Sequence, residues 1–520
     1  MPVYNGLDKG SNFALIRKDA DLLMVFYCMK GGKLLNVSIS TISSQDKKLT
    51  DAHLFQKWKT IDWNQVEKSV NKLQTRIAKA VMKNKWNHVK RLQYLLTHSY
   101  FAKLLAVRRV TLNKGKRTPG IDNEKWLTSN AKMTAVLRLT GKGYIAKPLK
   151  RVFVTKIGKN KKRPLGIPTM YDRAIQSLYA LALEPIAETI SDLRSFGFRK
   201  HRSTKDACQQ IFLCLSKKSS AQWILEGDIK GCFDNINHQW LLTNIPMDKS
   251  ILTQFLKAGF IYKHHLNPTK AGTPQGGIVS PILANMTLDG IEELLMSKYP
   301  KQGRKSPKVN FVRYADDFIV TANSEETARE IRDILIVFLK ERGLELSDDK
   351  TLITNINEGF DFLGWNFRKY NGKLLIKPSK KSIQRFTETI SQTIKKGMAW
   401  SQEVLIAKLN PIIRGWTNYH NSVVSSEVFQ ILDHRIWELL WTWAKRRHPN
   451  KSKSWIVNKY WKRSISRKWN FRTEGNGLLL LSQTRIYRHT PLRLQMNPFL
   501  DTDYYRERQN KLNFRKSHSI

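Results

Sequence analysis

Negative charge is what this 520-residue sequence has least of: 42 Asp and Glu face 90 Lys and Arg, a formal charge of +48 at pH 7. So basic a surface needs a polyanionic partner. Nucleic acid is the first candidate, because each neutralised phosphate releases condensed counterions; an anionic membrane is the alternative. Long apolar runs are missing too. Nothing reaches the ~18 residues needed to cross a bilayer, and neither end carries a lipidation signal, so no membrane partner is expected. Cysteine is also scarce. Cys28, Cys208, Cys214 and Cys232 form no Cys-x-x-Cys pair and no zinc spacing with histidine, which argues against a zinc module and for a reducing compartment. There is no secretory signal, and Asp8, Asp19 and Asp21 do not suit an acid-poor transit peptide. The expected setting is a bacterial cytoplasm or an organelle, plastid or mitochondrion, of an AT-rich genome, given the many Lys, Asn and Ile.

What is present is enough apolar material, 41% of residues, to fill the cores of two to four domains. Residues 1–55 show no clear period and break at Gly31-Gly32, so they read as a leader of unknown role. From Trp58 to Arg109 apolar positions recur at helical spacing within a basic stretch. "GKRTPGIDNEKW" (115–126) reads as a turn-rich loop, and "YDRAIQSLYALALEPIAETI" (171–190) as a helix that ends or kinks near Pro185. Between residue 376 and the C-terminus, 28 Lys and Arg stand against 9 Asp and Glu, among recurrent tryptophans.

The exception to the basic surround is "FVRYADDFIV" (311–320), two adjacent aspartates between apolar runs. Neighbouring carboxylates repel, and burial raises the pKa of at least one unless a cation sits beside them. The flanking segments read as strands, placing Asp316 and Asp317 at a hairpin tip. Ile331, Ile334, Leu335, Phe338 and Leu339 then define one face of a helix, with Asn323 and Glu326 as its capping box and Gly343 as its stop. "LELSDDKTLIT" returns as extended structure, giving an α+β unit with a helix over an antiparallel sheet. A second acidic strand, "WILEGDIKGCFDNINH", carries Asp228. If it pairs with the hairpin, three carboxylates converge, a donor set suited to Mg²⁺. Two such ions stabilise the attacking and leaving oxygens of a displacement at phosphorus, which is nucleotidyl transfer.

"RPLGIPTMYDRAIQ", "SFGFRKHRST", "GDIKGCFDNINH", "GTPQGGIVSPILAN", "FVRYADDFIV", "LSDDKTLIT" and "FDFLGWNF" follow one another in this order. Together, from about residue 60 to about 510, they resemble the group II intron reverse transcriptases, the intron-encoded maturases. The resemblance implies a right-hand polymerase with fingers, a palm built on an antiparallel sheet, and a thumb, followed by a basic helical maturase region. It implies two Mg²⁺ held by Asp228, Asp316 and Asp317 with the Ile229 carbonyl. It implies dNTP contacts from Lys156 and Arg163 in the fingers, from Phe233 as a steric gate against a ribose 2′-OH, from Gln275 in "GTPQGG", and from Lys350 assisting pyrophosphate departure. "FLGW" (362–365) resembles the primer grip and "KLNPIIRGWTNYHN" (408–421) the thumb, with Arg414, Trp416, Lys445, Arg446 and Arg447 as RNA contacts. Most tryptophans at helical spacing are core, so only a minority are expected on RNA.

The implied domains are an N-terminal reverse transcriptase extension (56–140), fingers and palm (141–375), thumb or maturase domain (376–470), and a basic segment (471–520). "YRHTPLRLQMNPFLDTDYYRERQ" (487–509) resembles the stretch that leads some members into an HNH endonuclease. No HNH constellation follows it here, so DNA cleavage is not expected of this sequence. The implied partners are the host intron RNA, an RNA template with a DNA or RNA primer, dNTPs and a DNA target, with a homodimer left open. The rival readings are a splicing-only maturase and a reverse transcriptase of a defence or repair system.

Overall fold

The helical spacing seen after Trp58 becomes a run of helices in the computed structural model: Asp51–Lys59, Trp63–Met82, Trp86–His98 and Tyr100–Leu112. The structure describes residues 50–155, 162–274, 276–300, 307–464 and 467–517, together with three backbone strands earlier in the chain. These strands, β1 (Phe13–Lys18), β2 (Asp21–Lys30) and β3 (Lys33–Asn36), pair antiparallel in the order β1-β2-β3, where the sequence had offered no period. They belong to a unit of residues 1–61 with 128–133; residues 62–127 with 134–520 form the other.

In the larger unit, Asp62 caps the helix Trp63–Met82 by accepting from the Asn64 and Gln65 amides at 2.9 and 3.2 Å. Val66, Val70 and Ile77 make its buried stripe, which packs on the helix Met170–Ile190. That second helix contains Pro185, where the sequence predicted a break. Proline removes the amide that would bond the Leu181 carbonyl. Buried Gln74 supplies the missing donor, its Nε2 standing 2.7 Å from that carbonyl, and the helix continues to Ile190.

Two four-stranded sheets follow. β4 (Leu149–Thr155), β5 (Lys162–Ile167), β7 (Phe260–Tyr262) and β8 (His265–Asn267) are ordered β5-β4-β7-β8; β6 (Trp223–Asp228), β9 (Asn310–Tyr314), β10 (Asp317–Ala322) and β11 (Leu352–Asn355) are ordered β11-β6-β10-β9. All pairings in the second are antiparallel. The predicted helix, Glu325–Lys340, lies on β6 and β10 and buries Ile331, Leu335, Phe338 and Leu339. Its cap is Ser324, which accepts from Thr327 at 3.2 Å, and not Asn323. Adjacent good capping residues leave that choice open by one position. A third sheet, β12 (Phe360–Phe362), β13 (Trp365–Tyr370) and β14 (Lys373–Pro378), leads into the helices Lys380–Lys396, Gln402–His420, Ser426–Arg447 and Lys453–Tyr460. The expected mixture of helix with antiparallel sheet is what the chain adopts. No helix among the described residues is long and apolar enough to cross a membrane.

Candidate active site

Cross-strand register, not sequence proximity, brings the acidic residues together. Asp317 opens β10 directly opposite Asp228, the last residue of β6. One step earlier Phe318 faces Gly227, where a Cβ would stand 2.1 Å from the ring, so only glycine lets the two strands close there. Asp316 occupies the two-residue turn between β9 and β10, preceded by Ala315 at φ +59°. The structure thus sets Asp317 beside Asp228, with Asp316 on the adjoining turn.

Burial of the carboxyl in the cleft floor, then the Asp316 and Asp228 charges, push Asp317 up to about 7. The residue still keeps exposed surface, where a cation can approach. Lys350 forms an ion pair with Asp228, and its own pKa is raised by that hydrogen bond against the opposing effect of desolvation. Among the described residues no three acidic, histidine or cysteine side chains already stand at metal-binding spacing. The donors are nonetheless all oxygen and crowded with like charge, the chemistry that a hard divalent cation relieves. Ile229 sits opposite Leu346, flanked by the Ser347 amide on the Asp228 carbonyl (2.8 Å) and the Lys230 amide on the Glu345 carbonyl (2.9 Å). In such a pair the central residue's own carbonyl stays out of the bonding to the facing strand.

The remaining motifs interlock around this floor. Phe233 lies on the short helix Cys232–Asn235, edge-on to Phe198 at 6.2 Å. Its carbonyl accepts from the Thr273 amide at 2.6 Å, while the Gly272 amide reaches Ile236 at 2.7 Å, so the "GTPQGG" loop is sewn to the Phe233 helix. Gly276, at φ +117°, passes so close to Gly166 that a Cβ would stand 2.5 Å from its carbonyl oxygen. Gln176 completes the join by accepting from the Ile278 amide at 2.7 Å. Phe233, Arg151, Phe153, Asp234, Tyr262 and Lys270 line a cavity of 750 Å³ between β4, β7 and this loop. Arg163 is exposed on β5, across from Val154. Lys156 and Gln275 lie outside the described residues. A separate cavity of 530 Å³, between the helix Thr204–Leu215, β14 and residues 486–489, holds none of the predicted residues.

The family model for the reverse transcriptase (RNA-dependent DNA polymerase) matches residues 150–367, that for the N-terminal domain of reverse transcriptase residues 58–139, and that for the group II intron maturase-specific domain residues 383–461. Protein YkfC of Escherichia coli is 30% identical over 383 residues, 65% of this chain and 97% of its own. The group II intron-encoded protein LtrA of Lactococcus lactis is 31% identical over 340 residues, covering 53% of this chain and 56% of LtrA. The chain belongs to the group II intron-encoded reverse transcriptases and maturases. It spans little more than half the length of LtrA. Maturase-like protein 1 of Euglena gracilis is 26% identical over 369 residues, 69% of this chain and 76% of its own.

The "FLGW" turn, with Leu363 at φ +50° and Gly364 at +81°, is gripped by the helix that carries the "NYHN" motif. Tyr419 donates to the Leu363 carbonyl at 2.7 Å and stacks on Trp365 at 4.6 Å. Two of the predicted RNA contacts, both half-buried, also serve the protein's own packing. Trp416 is stacked on Phe386 at 4.7 Å and donates to Ser382 at 3.3 Å, inside the helical packing. Arg447 donates to the Met398 and Trp400 carbonyls and covers the Trp443 ring, so it is committed to fastening its own helix. Arg414, Lys445 and Arg446 are exposed. Tyr419 and Gln176 sat inside quoted motifs without a role; only a contact map reveals what they hold.

Proposed function

We propose that this chain is an RNA-directed DNA polymerase of right-hand architecture that also binds its host group II intron RNA and assists its splicing. In this reading residues 56–140 are the N-terminal extension, 141–375 the fingers and palm, and 376–470 the thumb or maturase domain. The observation that carries it is the pairing of Asp228 with Asp317 across two strands, with Asp316 on the adjoining turn. The substrates are dNTPs and a primed RNA template, and the intron RNA is the splicing partner.

Asp228, Asp316, Asp317 and the Ile229 carbonyl would hold two Mg²⁺. When bound, these ions supply charge stabilisation to the attacking and leaving oxygens at phosphorus. Phe233 blocks the space into which a ribose 2′-OH would project and so selects dNTP over NTP. Lys350, already on Asp228, supplies positive charge for the departing pyrophosphate. Arg163, with Lys156 and Gln275, orients the incoming nucleotide. Exposed Arg414, Lys445 and Arg446 offer charge to RNA phosphate.

The test is primer extension on an RNA template with dNTPs and Mg²⁺, alongside splicing of the intron RNA. Wild type extends the primer and Asp316→Ala does not, while a triple alanine variant at 228, 316 and 317 still promotes splicing. A wild-type chain that leaves the primer untouched would sink the polymerase reading and leave a splicing-only protein.

A further inference from the structure

Behind the acidic turn lies a group of buried residues outside the predicted site. Arg313, at the end of β9, is fully buried. Its Nη1 donates to Asn285 Oδ1 at 3.0 Å and to the Ala315 carbonyl at 3.3 Å, and its Nη2 pairs with Asp289. Asn285 is also buried and turns its other side-chain atom the opposite way, Nδ2 donating to the Gly197 carbonyl at 2.8 Å. Gly197 in turn presses its backbone against the turn, where a Cβ would stand 2.2 Å from the Ala315 nitrogen. Backbone bonds from Phe196 to the Arg313 carbonyl (2.8 Å) and from Arg313 to the Arg194 carbonyl (3.0 Å) fix the two segments side by side.

Ala315 is the point on which all of this bears. It sits at φ +59°, a left-handed conformation that glycine or asparagine adopts readily and alanine resists. Such a residue persists only where its surroundings over-determine it. Released, Ala315 would relax toward negative φ, and the next residue along is Asp316.

We infer that Gly197, Asn285 and Arg313 are positioning residues, a clamp that holds Ala315 in its strained conformation and so sets where the Asp316 and Asp317 carboxylates stand. This rests on the polymerase reading for its kinetic readout but not for its metal-binding readout. It also explains why three stretches with no chemistry of their own, "SFGFRK", "SPILAN" and the Arg of "FVRYADD", accompany the acidic motif.

The experiment uses the full chain carrying Asn285→Ala, Arg313→Lys, or Asn285→Ala with Ala315→Gly. Asn285→Ala leaves the Arg313–Asp289 pair intact, and Arg313→Lys keeps the charge without the fork. In primer extension each single variant lowers kcat about 10- to 100-fold, as expected for a displacement on the scale of an ångström. The KM for dNTP and the Kd for primer–template stay within about twofold, and several-fold more Mg²⁺ is needed. Mn²⁺ binding to the protein without substrate, followed by electron paramagnetic resonance, weakens in parallel. Glycine at 315 needs no clamp, so the double variant recovers a large part of kcat and of Mn²⁺ affinity. Unchanged Mn²⁺ binding and metal dependence in Asn285→Ala, or a loss that tracks the melting temperature and is not rescued by Ala315→Gly, overturns the inference. A wild type without extension but with clamp-dependent Mn²⁺ binding would defeat the polymerase reading alone.

Discussion

The β9–β10 hairpin has a front and a rear, and each carries an ionic cluster of opposite design. At the front, Asp228, Asp316 and Asp317 crowd like charges into an open cleft, with one lysine partner, Lys350, itself largely exposed. At the rear, Arg313 and Asp289 pair out of solvent, Ser191 donates to Asp289 at 2.8 Å, and the Gly290 amide reaches Asp192 at 3.1 Å. Burial, then the Asp289 charge, push Asp192 up to about 7 despite Arg313. Each cluster has a member within two residues of Ala315: Asp316 and Asp317 at the front, Arg313 at the rear. The front stores its repulsion in the open, where a ligand can relieve it, which is the signature of a working site; the rear also crowds carboxylates, Asp192 beside Asp289, but holds them around a buried guanidinium with hydroxyl and backbone donors, which is the signature of a scaffold.

The comparison can be broken most severely at the front. Asp317→Asn keeps the size of the side chain and removes one of three repelling charges. Extension falls by about a thousandfold or more, equivalent to roughly 4 kcal/mol of barrier, while the melting temperature is unchanged or slightly higher. A drop in both would place Asp317 in the scaffold instead.

The rear answers in the opposite sense. Arg313→Met leaves Asp289 buried without its cation, and stability falls by about 3–5 kcal/mol in urea unfolding. Arg313→Met with Asp289→Asn recovers most of that loss, because the stranded charge is gone. If the single variant unfolds at the wild-type urea concentration, the rear cluster is not the scaffold described.

The smallest effects sharpen the same contrast among the basic residues of the helix Ser426–Arg447. Lys445→Ala and Arg446→Ala leave stability within about 0.5 kcal/mol and each lower the salt slope of intron RNA binding by about 1. Arg447→Ala does the reverse, costing about 1–3 kcal/mol through the two carbonyls it leaves without a donor. Equal salt slopes for all three would erase the distinction between surface and fastening arginines.

What the sequence disclosed followed from how local each feature is. The Asp316–Asp317 turn and the apolar face of Glu325–Lys340 are written in consecutive residues, so period and turn chemistry were enough. Their meeting with Asp228 needed only one strand pairing. The packing roles of Trp416 and Arg447 were not legible because a helix face is inside or outside according to what packs on it, and for Trp416 that neighbour is Phe386, thirty residues earlier. Pro185 looked like a terminus because the donor that compensates it, Gln74, lies 107 residues from the Leu181 carbonyl it serves. The Ala315 clamp was invisible for the same reason. Its three members come from three motifs, and a buried arginine beside two aspartates reads in sequence as part of the acidic motif.

One contact sets an order on synthesis. Asp206 lies buried at the start of the helix Thr204–Leu215, with His489 Nε2 2.9 Å away and Arg508 paired to it. Both partners are made late, Arg508 some 302 positions downstream. At the usual ~5–20 residues per second, a nascent chain therefore waits roughly 15–60 s with that carboxylate unable to leave water. Until Arg508 has left the ribosome, the surroundings of Asp206 stay open to water, and the segment that carries His489 and Arg508 is the one that closes them.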